Sequence, residues 1–89
     1  MIARNVVVSG RVQGVGFRWS TRARALALGV AGRVRNLPNG KVEAHIEGSV
    51  AAVDEMMSWL RSGPAGASVT GFEESPASLE GITGFAISG

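Results

Sequence analysis

The segment Gln13-Gly14-Val15-Gly16-Phe17-Arg18 holds the residue types best suited to chemistry. Its glycines, Gly14 and Gly16, permit positive φ, so successive backbone N–H groups can point the same way. A row of such donors that ends at a helix N-terminus attracts an anion. The Arg18 guanidinium adds a fixed positive charge and a forked donor matched to phosphate oxygens. No Lys-Ser or Lys-Thr pair follows, so the segment is not a nucleotide P-loop. Trp19 stands where a dinucleotide fingerprint needs its third glycine. Spacing alone leaves two readings open: a cradle for one small oxyanion, or glycines that only make a tight strand–helix turn.

The flanking pattern says which elements must hold this loop. Residues 2–9 are rich in valine and predict a strand, with Val6 and Val8 on one face and Val7 on the other. A helix is predicted over 18–28, with Trp19, Ala23, Leu26 and Val30 as its apolar stripe. Gly29 and Gly32 stop it. A short strand over 32–36 leads into Asn39-Gly40, a hairpin turn signal. The strand over 41–47 alternates, with Val42, Ala44 and Ile46 facing inward and Lys41, Glu43, His45 and Glu47 facing water. Ser49 caps a second helix whose predicted stripe is Val50, Val53, Met57 and Leu60, ended by Gly63-Pro64. A strand over 67–73, a polar loop over 75–84 and a last short strand over 84–88 complete the chain.

This order predicts an α+β fold, the ferredoxin-like split β-α-β sandwich, with two helices on one face of an antiparallel sheet of four to five strands. A single domain over 1–89 is expected at this length. The helix crossover makes the first two strands parallel, and the hairpin partner lies between them, roughly 9–10 Å across. Their C-terminal ends then share one edge of the domain. Arg18 and Asn36 should therefore face one small space.

Composition narrows the chemistry further. The absence of cysteine excludes disulfides, thiolate metal sites and a cysteine nucleophile. One histidine leaves neither a His-rich metal centre nor a spare base for a Ser-His-Asp triad. Nine Lys+Arg against seven Asp+Glu give +2, a small surplus for a nucleic-acid binder. No apolar run reaches the roughly 20 residues of a membrane span, and the start is too short in apolar residues for a signal peptide. The expectation is a cytoplasmic monomer with neither nucleic-acid nor membrane partners.

The motif Gly10-Arg11-Val12-Gln13-Gly14-Val15-Gly16-Phe17-Arg18 closely resembles the signature of the acylphosphatase family. Gly32-Arg33-Val34-Arg35-Asn36, followed by Asn39-Gly40 and Val42-Glu43, resembles its second motif, and Gly63-Pro64 also fits. The ending Phe85-Ala86-Ile87-Ser88-Gly89 departs from the aromatic or basic ending of many members. The resemblance implies hydrolysis of an acyl phosphate to a carboxylate and inorganic phosphate. It implies Arg18 and Asn36 as catalytic residues, and Gln13, Gly14, Val15, Gly16, Phe17 and Arg18 as the phosphate-binding loop. No metal or other cofactor is expected, because arginine and amides supply the positive charge. A carboxylate is a good leaving group and needs no strong general acid.

Elsewhere the bland readings are the expected ones. His45 is expected on the wet face, and Arg22 and Arg24 on a solvated helix face. Arg33 and Arg35 are expected to point toward water, and Trp19, Met56, Met57 and Trp59 to lie in or near the core. Two alternatives compete with the hydrolase reading. One is an RNA- or protein-binding ferredoxin-like module, the other a carbamoyl-phosphate-handling domain. An RNA platform would present aromatics on the exposed sheet face, where Lys41, Glu43, His45 and Glu47 stand.

Overall fold

Val6 and Val8 are buried while Val7 between them is half-buried, the two-residue period of a strand with one face on a core. That strand, β1 (Ile2–Arg11), is followed by α1 (Phe17–Leu28), β2 (Ala31–Asn36), β3 (Val42–Gly48), α2 (Val50–Ser62), β4 (Ser68–Ala77) and β5 (Phe85–Ser88). The computed structural model describes residues 1–89. The sheet order is β4-β1-β3-β2-β5. β3 is antiparallel to both β1 and β2, so those two strands run the same way with one strand between them. Val8 and Asn36 both pair with Val42, which sets them in one row across the sheet.

The two helices and the split β-α-β order are as expected, but the sheet is mixed rather than wholly antiparallel. β5 pairs with β2 in parallel. The cause is topological. β4 lies antiparallel to β1 and so ends where β2 begins. The chain then crosses to the far edge and reverses direction, so β5 sets out from the same end as β2. β4 also continues to Ala77, past its predicted end at 73, and it includes Pro76. An edge strand tolerates proline because the missing N–H would face away from the ladder.

The core joins the helices to one sheet face through Val6, Val8, Val34, Val42, Ala44 and Ile46. From α1 it takes Phe17, Thr21 and Ala25, and from α2 Val53, Met56 and Leu60. Both predicted stripes are therefore corrected. Trp19 and Leu26 lie on the outer side of α1, with Trp19 67% exposed, and Val50 is exposed on α2. Thr21 can be buried because its hydroxyl donates to the Phe17 carbonyl at 2.7 Å, which removes the cost of an unpaired polar group. Ser49 caps α2 as predicted, its Oγ accepting from the Ala52 N–H at 3.1 Å.

The opposite sheet face is also corrected. His45 and Glu47 are buried, because residues 78–84 must cross this face to join the two edges of the sheet. Glu47 pins the crossing. Its carboxylate accepts from the Glu80 N–H at 2.8 Å and the Gly81 N–H at 3.2 Å, and His45 Nε2 lies 2.6 Å away. The His45 hydrogen bond, with those two N–H groups, holds the Glu47 carboxyl below the usual carboxylate range against the upward push of burial. Glu80 pairs with both prongs of Arg33 at 2.8 and 2.9 Å, which lowers its carboxyl as well.

Candidate active site

The loop between β1 and α1 turns on two left-handed glycines, Gly14 at φ 74° and Gly16 at φ 75°. Nothing stands within 4 Å of a Cβ built at either position, so backbone conformation, not crowding, requires glycine there. Other residues would lose about 1–2 kcal/mol in that region. Gly16 caps α1 with no side-chain hydrogen bond, and the first turn contains no acidic residue. The N–H groups of Phe17, Arg18 and Trp19 thus begin the helix without intrahelical acceptors and without a nearby carboxylate to compete.

Asn36 ends β2 with its side chain on the same face as Gly32 and Val34, the face that carries α1. Its Oδ1 is buried and has no protein hydrogen-bond partner. A buried acceptor left open is costly in a core and useful at a site that takes up a donor. Arg18 lies across from it at the start of α1. Arg18 Nη1 donates to the main-chain oxygen of Gly89 at 2.7 Å, with a longer contact of 3.4 Å to the Ser88 carbonyl.

These groups meet in one cavity of about 150 Å³, lined by Val12, Gly14, Gly16, Phe17, Arg18, Trp19 and Asn36. Arg18 and Asn36 share it. Gln13 and Val15 are not in its lining. The Gln13 side chain turns to the β2–β3 hairpin, donating from Nε2 to the Leu37 carbonyl at 2.8 Å and the Lys41 carbonyl at 2.9 Å. Val15 packs against the core. Trp19, expected near the core, lies on the cavity instead. The missed signal is the alternative helical spacing Phe17, Thr21, Ala25, Leu28, which leaves Trp19 unclaimed by the interior.

No carboxylate or histidine lines the cavity, so it offers an anion site and no set of metal ligands. Ligand atoms of His45, Glu47 and Glu80 do lie within 4.8 Å of one another elsewhere. Those atoms are already engaged with each other, with Arg33 and with backbone N–H groups, as an internal ion-pair network.

The acylphosphatase family model matches residues 4–87. The chain belongs to the acylphosphatase family. It is 58% identical over 84 residues to an acylphosphatase of Rubrobacter xylanophilus, covering 92% of this chain and 76% of that one. It is 46% identical over 87 residues to an acylphosphatase of Acaryochloris marina, covering 98% and 94%. Its structure is similar to the crystal structure of acylphosphatase from Bacillus subtilis, with a TM-score of 0.95, 35% identity and 99% of each chain covered. As an acylphosphatase, the protein is a hydrolase of the carboxyl–phosphate bond of acyl phosphates. No helix of the structure is long and apolar enough to cross a membrane.

Proposed function

We propose that this acylphosphatase reacts at the Arg18–Asn36 cavity, by in-line attack of a water molecule on phosphorus. The carrying observation is that Arg18, the glycine loop and the unpartnered Asn36 Oδ1 border one small space. The loop N–H groups and the Arg18 fork hold the phosphoryl oxygens and meet the charge that grows on them in the transition state. Asn36 Oδ1 accepts a hydrogen from the attacking water and aims its oxygen at phosphorus. The new P–O bond forms as the bond to the acyl oxygen breaks, and the carboxylate leaves with the electron pair. Asparagine is too weak a base to take the water proton, so a phosphoryl oxygen takes it. The products are a carboxylate and inorganic phosphate.

The charge supplied by Arg18 and the amides replaces that of a metal ion in this scheme. The protein is also proposed to act as a cytoplasmic monomer without nucleic acid. The crossing residues 78–84 support the last point, because they cover part of the sheet face that an RNA platform would need open. Benzoyl phosphate hydrolysis, measured with and without EDTA, tests the scheme. Full activity in EDTA and competitive inhibition by inorganic phosphate are expected. Loss of activity on chelation would overturn it.

A further inference from the structure

Trp19 follows Arg18 on the first turn of α1 and lines the same cavity, yet 67% of it is exposed. The interior makes no use of it, because α1 buries Phe17, Thr21 and Ala25 instead. The other tryptophan, Trp59, is set against Phe17 with ring centroids 5.9 Å apart, whereas Trp19 has no aromatic partner. A large indole is thus held at the rim of an anion site with its apolar surface unspent. The cavity, about 150 Å³, has room for a phosphoryl group. It falls below the roughly 300–1,000 Å³ of pockets that enclose larger organic ligands. A substrate gripped by its phosphoryl end must leave its acyl group at the rim.

We propose that the Trp19 indole is the platform on which the acyl group lies, and that it favours acyl phosphates with a flat, apolar acyl group, aromatic ones most of all. This rests on the phosphoryl-site reading given above. An aromatic acyl group gains offset or edge-to-face contact with the indole and removes apolar surface from water. The acyl group makes that contact in the ground state and the transition state alike. The preference therefore belongs in KM more than in kcat.

Trp19→Ala and Trp19→Phe, assayed with benzoyl phosphate and acetyl phosphate, test the proposal. Trp19→Ala is expected to lower the benzoyl-over-acetyl ratio of kcat/KM roughly three- to tenfold, the worth of one aromatic pair, through KM. Trp19→Phe is expected to keep most of the ratio. Phenylphosphonate and methylphosphonate, which are not hydrolysed, read the same preference as competitive inhibitors. The advantage of phenylphosphonate should vanish in Trp19→Ala. An unchanged ratio, or equal losses with both substrates, overturns the platform. Arg18→Ala separates the two readings: if it kept wild-type inhibition by inorganic phosphate, the phosphoryl site itself would be misassigned, whatever Trp19 did.

Discussion

Arg18 Nη1 and the main-chain oxygen of Gly89 lie 2.7 Å apart although 71 positions separate them in the chain. Residues 88 and 89, at the end of β5, therefore hold one prong of the guanidinium. Arg22, one turn further along α1, adds a bond from Nε to the Phe85 carbonyl at 3.1 Å. The strand that completes the sheet edge is in this way also a brace for the cation. Removing Ser88 and Gly89 is expected to lower kcat/KM for benzoyl phosphate by roughly tenfold, through a misaimed guanidinium. Circular dichroism should show the fold retained. Unaltered kinetics would mean that Arg18 needs no brace.

Arg18 and Asn36 should separate in their kinetics. Arg18→Ala is expected to cost about 10²–10³ in kcat and to weaken inhibition by inorganic phosphate. Asn36→Ala is expected to lower kcat about 10²-fold while leaving phosphate inhibition close to wild type. A matching loss of phosphate affinity in Asn36→Ala would show that Asn36 grips the phosphoryl group and does not aim water.

Gln13 links the loop to the β2–β3 hairpin through two bonds from one amide nitrogen. Each such bond is worth about 1 kcal/mol. Gln13→Ala is therefore expected to lower Tm by roughly 8–16 °C for a domain of this size. Both kcat and KM should worsen, because the loop loses its tie to the strand that carries Asn36. Thermal unfolding beside steady-state kinetics checks this, and an unshifted Tm would show that the tie is idle.

Glu47 predicts an acid-sensitive contribution to stability. Its carboxyl is held below the ordinary range of about 4, chiefly by the His45 hydrogen bond, so the native state favours the ionised form. That stability is present at pH values above the ordinary value and is lost as pH falls through the lower native one. Glu47→Gln should cost about 1–3 kcal/mol at neutral pH by weakening bonds to a buried acceptor. Its stability should fall less steeply than wild type on acidification. Denaturant unfolding between pH 7 and about pH 3 reads both effects, and parallel acid limbs in the two proteins would refute the Glu47 contribution.

The element order was readable because valine alternation, the Asn39-Gly40 turn and the Ser49 cap are local signals, and each acts within a few residues. The meeting of Arg18 and Asn36 was readable because a helix crossover leaves little topological choice. The buried face of α1 was not. Bulk favoured Trp19 over Thr21, and only the hydroxyl bond to Phe17 makes the polar residue the better fit inside. The burial of His45 and Glu47 was hidden for another reason: it depends on which edge β5 joins, and the four residues of that strand say little about their partner. The resemblance places Gln13 in the phosphate loop, while its side-chain bonds to Leu37 and Lys41 reach 24 and 28 residues along the chain, which no local pattern encodes.

The outer strands of the sheet have a consequence for contact between molecules. β4 borders solvent along ten residues, but Pro76 offers no N–H there, and Glu73 and Glu74 are exposed charges. β5 forms the other border and is four residues long. A neighbouring chain seeking to extend the sheet would meet an interrupted, negatively charged row on one side and a very short one on the other, both poor templates for fibril growth.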